Sequence, residues 1–277
     1  MSGPGRIYAE LSRSLRAGEP VALATITELE ADPAGAGAPG ATLGAKLLVR
    51  APAERIGSLG SDELDRVVER DALAALERGT TVTRHYGSRG EARRRDVSVF
   101  VEVFAPPPRL VIFGAVDFTA ALAAVGRLLG FRVTVCDARP VFATAARFPS
   151  AHEVVVDWPD RYLRTIADDL GPRDAICVLT HDTKFDIPAI VSALETEVGY
   201  LGAMGSRRTH DERWRRLVEA GADEAELRRR LMSPIGLDIG ARTPEETAVA
   251  IAAEMIASRA GVEHPSLRDA GGPIHQR

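Results

Sequence analysis

The densest run of chemically capable side chains is Thr180-His181-Asp182-Thr183-Lys184-Phe185-Asp186. A histidine, two carboxylates and a lysine this close together can move protons, hydrogen-bond a ligand or ligate a metal. The spacing fits no standard metal site, so no metal ligands are assigned and acid–base work or ligand hydrogen bonding is the more natural chemistry. A metal-dependent hydrolase or transferase centred on His181, Asp182 and Asp186 is one alternative. A solvated loop in which Asp182 or Asp186 caps the next helix is the bland one. Lys184 weighs against blandness. Of 35 basic residues only Lys46 and Lys184 are lysines, the rest being arginine. A lysine that survives such a bias is informative, because its compact ammonium is not equivalent to a guanidinium.

Three further runs carry chemistry. Gly202-Ala203-Met204-Gly205-Ser206-Arg207-Arg208 ends in a serine that can open a helix. The Gly205 and Ser206 amides with Arg207 and Arg208 would form an anion site suited to phosphate; ordinary capping with solvent-facing arginines is the alternative. Gly114-Ala115-Val116-Asp117 stands where a dinucleotide fingerprint would begin, but Val116 and Thr119 replace its second and third glycines. Val116 sets a side chain where pyrophosphate would touch backbone. Asp117 sets a carboxylate at a helix N-terminus, as a repulsive charge or a plain N-cap. Asp137 follows Gly114 by 23 positions, near the usual spacing of a ribose-binding acid. An NAD(P)-dependent oxidoreductase with a degenerate Rossmann turn is therefore the alternative function, with NAD(P) the disfavoured cofactor. Finally, the loop from Ser233 to Glu246 holds two glycines, two prolines and Asp238, with Ile235, Leu237 and Ile239 predicting partial burial. An ordered apolar loop of that length is more often functional than not.

These runs matter only if the fold gathers them. From residue 109 onward, apolar strands alternate with helices. RLVIFGA, FRVTVCDAR, AHEVVVDW, DAICVLTHD and VGYLGAMG read as strands. Between and after them, DFTAALAAVGRLLG, PDRYLRTIADDLG, FDIPAIVSALETE, SRRTHDERWRRLVEAG, EAELRRRL (extending or following the previous helix) and PEETAVAIAAEMIASRAG read as helices. That alternation predicts a Rossmann-like doubly wound parallel sheet with helices on both faces. Ligands bind beyond the carboxyl ends of such strands, so Gly114–Asp117, Asp137-Ala138-Arg139, Asp157, Thr180-His181-Asp182 with Lys184 and Asp186, and Gly202–Arg208 should converge at one rim.

The first hundred residues read differently. A helix over 6–17 closes at Gly18, and a strand follows over 21–29. A Gly/Pro/Ala-rich loop spans 31–45. A strand over 45–50, a helix over 63–78 with Ser61 or Asp62 as N-cap and Gly79 as C-cap, and strands over 80–87 and 96–104 complete a smaller α+β domain. Pro106-Pro107-Pro108 marks the linker, so the domains are expected over 1–105 and 106–277.

Composition excludes several classes. With 45% apolar and 27% charged residues the chain can build a core. A net charge of −4 argues against binding nucleic acid or membrane through bulk positive charge. No apolar run reaches spanning length and no secretory leader is visible, so a cytoplasmic protein is expected. Cys136 and Cys177 each sit in an apolar run, as buried thiols of a reducing compartment do.

Taken in order, several segments resemble the XdhC/CoxI family of xanthine dehydrogenase accessory proteins. They are Asp137-Ala138-Arg139-Pro140, Arg147-Phe148-Pro149, the 180–186 run, Tyr200-Leu201-Gly202, Gly205-Ser206-Arg207-Arg208, Pro234 to Gly240, and Thr243-Pro244-Glu245-Glu246. The tail Gly272-Pro273-Ile274-His275 and Leu23-Ala24-Thr25-Ile26 are also similar. Gly57-Ser58-Leu59-Gly60 resembles the start of the family's cysteine segment, but Ser61, Asp62 and Glu63 stand at its G-G-C positions, followed by Asp65. The second cysteine segment is absent near Arg94, Arg95 and Asp96, and the family's G-A-G-H turn appears as Gly114-Ala115-Val116-Asp117.

The resemblance implies a maturation factor without turnover of its own. It would bind molybdenum cofactor, as molybdopterin or its nucleotide, and serve a molybdenum hydroxylase of xanthine or carbon monoxide dehydrogenase type. A sulfurase or nucleotidyltransferase is a further implied partner, and a homo-oligomer is expected. On this reading Gly205, Ser206, Arg207 and Arg208 take the phosphate. Asp137, His181, Asp182 and Asp238 meet pterin or ribose groups, with Gly114, Asp117 and Lys184 at the same rim.

Overall fold

The computed structural model describes residues 4–30, 40–87, 89–91 and 95–261. Most of the loop expected over 31–45, Arg94 and the tail motif at 272–275 lie outside them. The chain divides into two compact units, with the boundary between Pro106 and Pro107.

In the first unit β1 (Val21–Leu29), β2 (Lys46–Arg50), β3 (Glu54–Gly57), β4 (Val82–Tyr86) and β5 (Val97–Phe104) form an antiparallel sheet ordered β3-β2-β1-β5-β4. Side chains alternate between its faces. Ala22, Ala24, Ile26, Val99 and Val101 meet α2 (Asp62–Arg78) through Leu64, Val68 and Ala72. Val21, Leu23 and Leu48 meet α1 (Pro4–Ala17) through Ile7 and Leu11. Of the two cap candidates Ser61 is the N-cap, its hydroxyl accepting from Leu64 N at 3.3 Å, and Gly79 closes the helix in the left-handed region. The short strand β3 was not anticipated. Its four residues have no clear alternation, and it exists because β2 offers an open edge.

The second unit is a six-stranded parallel sheet ordered β11-β10-β9-β6-β7-β8. Its strands are β6 (Arg109–Phe113), β7 (Arg132–Cys136), β8 (Glu153–Val155), β9 (Ala175–Val178), β10 (Tyr200–Ala203) and β11 (Leu231–Met232). Leu110, Ile112, Val133 and Val135 point to α3 (Asp117–Leu128) and α8 (Pro244–Ala260). Val111, Phe113, Ile176, Val178 and Leu201 point to α4 (Pro159–Ile166), α5 (Thr183–Leu194), α6 (Arg207–Glu219) and α7 (Glu224–Arg230). Cover on both faces explains why these strands are apolar throughout. The sequence assigns Leu231 to a helix; here it starts β11, an edge strand beside β10.

The topology fixes the place of the site. From β6 the chain winds outward through β7 and β8, then returns past β6 to build β9, β10 and β11. The direction of winding reverses between β6 and β9, so the loops after those strands diverge and open a crevice.

Candidate functional site

A cleft of about 500 Å³ opens at that reversal. Val116 lines it from the β6 loop, Arg139 from the β7 loop, Thr180, His181 and Asp182 from the β9 loop, and Arg216 from α6.

The β6 loop shows why its glycine pattern departs from a dinucleotide fingerprint. Gly114 has φ 113°, and a Cβ there would lie 2.8 Å from the Thr180 amide nitrogen. The loops after β6 and β9 therefore touch backbone to backbone, which only glycine permits. Val116 is the N-cap of α3 and offers no side-chain acceptor, so the first-turn N–H groups keep their anion-attracting character. The cap alternative for Asp117 is thus corrected: Asp117 is the first helical residue, exposed, with its carboxylate 3.7 Å from Arg147. Thr119, at the third glycine position, is buried and donates its hydroxyl to the Gly114 carbonyl, tying the turn shut.

Asp137 was expected to face a ribose or pterin. It is buried, and its acceptors are filled from within the chain. Oδ2 accepts from Ala115 N at 2.7 Å and Arg139 Nη2 at 2.8 Å; Oδ1 accepts from Arg139 N and Nε, both at 2.9 Å. Burial pushes its pKa up, but the Arg139 side chain and the Ala115 and Arg139 amides outweigh that and hold it below the usual value. With these bonds Asp137 braces the β6 turn and aims Arg139. Arg139 lies over the Phe142 ring at 4.6 Å and lines the cleft.

The 180–186 run separates into distinct roles. His181 is exposed on the cleft wall. Asp182 is the N-cap of α5, accepting from Lys184 N at 3.1 Å, and its other oxygen lies 3.1 Å from Lys184 Nζ. The Lys184 amide, then its ammonium, hold the Asp182 carboxyl low. Lys184 itself is exposed, with its ammonium 4.7 Å from the Phe185 ring centre, and it does not line the cleft. Asp186 points inward. It accepts from Thr180 Oγ1 at 2.8 Å and from Arg213 at 2.9 Å, and Arg213 also donates to the Met204 carbonyl at 2.7 Å. Burial raises the Asp186 pKa, and the Arg213 pairing opposes it. The pair ties the β9 loop to the β10 loop. Among the described residues no three histidine, cysteine or acidic side chains form a metal-binding group.

The β10 loop is the largest departure. Ser206 caps α6, accepting from Thr209 N at 3.2 Å. Arg208 is exposed and pairs with Glu212 at 3.4 Å, and the Arg207 side chain lies outside the described residues. Gly205, Ser206 and Arg208 do not line the cleft. Arg216 does, and donates to Thr183 Oγ1 at 2.8 Å. Arg213 and Arg216 were missed, although Arg213 shares a helical stripe with the core residue Leu217, a position where an arginine must have a buried partner. Asp238 is exposed and does not line the cleft. Its loop is pinned by Ile235 N to Ala203 O at 3.1 Å and by Glu254, which accepts from Gly236 N at 2.9 Å and Tyr200 OH at 2.6 Å. Glu254 is the one acid in α8 beyond its first turn, in an otherwise apolar run, and that was the available signal for it.

Neither cysteine offers a thiolate. Both are buried; burial pushes the Cys136 thiol up to about 12 and raises that of Cys177 as well. In the first unit Asp65 is buried and accepts from Leu59 N at 2.6 Å, so the 57–65 segment is held by a carboxylate clamp and the Ser61 cap.

Residues 110–255 match the family described as the XdhC Rossmann domain, and residues 14–87 match the XdhC and CoxI family. The chain is 33% identical over 162 residues to a probable xanthine dehydrogenase subunit from Bacillus subtilis (strain 168), spanning 58% of this chain and 46% of that protein. It is 29% identical over 220 residues to the uncharacterized protein YqeB of Escherichia coli (strain K12), spanning 76% and 40%. It is 27% identical over 163 residues to the molybdenum cofactor insertion chaperone PaoD of the same strain, spanning 59% and 44%. Each match spans less than half of the curated relative. A crystal structure of a xanthine dehydrogenase from Bacillus halodurans superposes with a TM-score of 0.50 at 23% identity, covering 95% of this chain and 97% of that one, a likeness of fold. With both units matched in order, this chain belongs to the XdhC and CoxI family.

Proposed function

We propose that this chain is an accessory factor that binds molybdenum cofactor, as molybdopterin or its nucleotide, for insertion into a molybdenum hydroxylase of xanthine or carbon monoxide dehydrogenase type. The observation that carries it is the cationic cleft at the sheet's reversal point. Arg139 and Arg216 flank the uncapped N-terminus of α3, a set of donors suited to a phosphate arm. His181 and Asp182 add a donor–acceptor wall for a pterin edge. A volume of about 500 Å³ suits a ligand of that class. The relative named a molybdenum cofactor insertion chaperone supports the same reading.

NAD(P) fits less well, because Asp137 has no acceptor left for a ribose at the usual position of that acid. A metal site on His181, Asp182 and Asp186 is disfavoured by the inward pairing of Asp186 with Arg213. With both thiols buried, sulfur is supplied by a partner such as a sulfurase, and this chain holds and hands over the cofactor in the cytoplasm without turnover. A nucleotidyltransferase would be the partner that interconverts the cofactor forms.

The test is molybdopterin binding by the purified chain, read by pterin fluorescence after oxidative release. Arg139→Ala and Arg216→Ala should each weaken binding about tenfold or more, as loss of a charge-assisted hydrogen bond worth about 1.5–3 kcal/mol requires. Arg208→Ala should be silent. Saturable NADPH binding with no retention of molybdopterin would overturn the reading.

A further inference from the structure

The second unit has another opening, at the end of the sheet opposite the cleft. A crevice of about 30 Å³ lies at the amino ends of β7, β9 and β10, against the last turns of α8. Leu129, Phe131, Met255 and Ile256 give it apolar walls, and Arg173 and Arg259 line it as well. Its other polar side chains are spent. The Asp174 carboxylate accepts from Arg109 N at 2.6 Å and Gly171 N at 2.8 Å, and Tyr200 OH donates to Glu254 at 2.6 Å. The two guanidinium groups are not. Among the described residues neither has a hydrogen-bond or ion-pair partner. Arg259 stands in the last turn of a helix, where the dipole favours a cation. Arg173 has no such reason for its place. It is half-buried; burial lowers its pKa, Asp174 opposes that, and the like charge of Arg259 lowers it further. A cation partly desolvated beside a second cation, with no counter-charge in contact, carries a standing cost that a bound anion removes.

We propose that this crevice binds a free aliphatic monocarboxylic acid, its carboxylate held by Arg173 and Arg259 and its chain laid over Leu129 and Ile256. The planar fork of each guanidinium matches a carboxylate. Helix α8 presents its C-terminal end here, and the partial negative charge of that end disfavours a dianion such as a phosphate monoester. The crevice has room for roughly two water-sized groups, the size of a carboxylate head. Leu129 and Ile256 are exposed at its edge, where they would cover an alkyl chain. This inference does not depend on the cofactor reading, because the cleft lies at the carboxyl ends of the strands and shares no residue with the crevice.

The test is isothermal titration calorimetry of the full chain with sodium octanoate. Binding should saturate at a single site with a Kd of about 0.1–1 mM, as a small head group and a partly covered chain allow. Octanol and inorganic phosphate should show no saturable binding in that range. Arg173→Gln and Arg259→Gln should each weaken octanoate binding about tenfold. Arg139→Ala, which alters the cleft, should leave octanoate binding unchanged. Arg173→Gln should not lower the melting temperature, because the cation it removes has no partner to lose. A chain that binds no octanoate overturns the proposal. So does equal binding of octanol or phosphate, or an affinity that follows Arg139 rather than Arg173 and Arg259. A peptide ending in leucine that binds more tightly than octanoate overturns the free acid as the ligand. An Arg173→Gln chain that melts well below the parent overturns the site itself, since the guanidinium would then already be satisfied within the chain.

Discussion

Asp137→Asn distinguishes a brace from a ligand group. The parent carboxylate accepts four hydrogen bonds, two on each oxygen, from Ala115 N and three groups of Arg139. The amide keeps one oxygen and turns the other into a donor that faces donors, so two bonds are lost whichever way it lies. A charge-assisted bond is worth about 1.5–3 kcal/mol, and either way one of the two lost comes from a backbone amide, Ala115 N or Arg139 N. The Arg139 side chain is 45% exposed, so its ion pair adds about 1 kcal/mol at most. The expected loss is about 2–4 kcal/mol. Urea unfolding at neutral pH, followed by Trp158 and Trp214, reads it directly, because both tryptophans lie in the second unit. With a slope of about 2 kcal/mol per molar, the midpoint should fall by about 1–2 M. The pH dependence has a definite sign. The folded carboxyl is held below its unfolded value, so its stabilisation is complete above about pH 4 and is lost as pH falls through the folded pKa. The gap between parent and variant should therefore close only in acid. A stability change below about 0.5 kcal/mol, with cofactor affinity lost, would refute the brace and return Asp137 to the ligand.

Gly114→Ala should destabilise the second unit by roughly 2–5 kcal/mol, combining left-handed strain with a 2.8 Å approach to the Thr180 backbone; an unchanged urea midpoint would refute that packing. Neither Cys136 nor Cys177 should react with DTNB at pH 8 in the folded chain, and both should react in denaturant; rapid labelling of native protein would contradict their burial. Arg213→Met leaves Asp186 as a buried unpaired charge and should cost about 3–5 kcal/mol, whereas Asp186→Leu with Arg213→Met should recover most of it. Equal losses in the single and double variants would show that the pair itself is not the source of the penalty.

Much of the architecture was legible in the chain. Apolar strands alternating with helices demand a parallel sheet covered on both faces, and the winding of such a sheet places a ligand crevice at the carboxyl ends of its strands. That logic located the loops after β6, β7 and β9 around one cleft, with Val116, His181 and Asp182 on its walls. The caps at Ser61 and Ser206 were also readable, because a cap is a contact over three residues. Side-chain destinations were not. Asp137 and Asp186 are both acids just past apolar strands, yet each is filled by an arginine, one of them 27 residues away. Arg208 looked like the phosphate cation and faces solvent, while Arg216 on the same helix reaches the cleft. Periodicity sets which way a residue points from its own element. It carries no information on how far that element is shifted or rotated against its neighbours, and a displacement of one helical turn decides whether an arginine meets a ligand, a buried carboxylate or water.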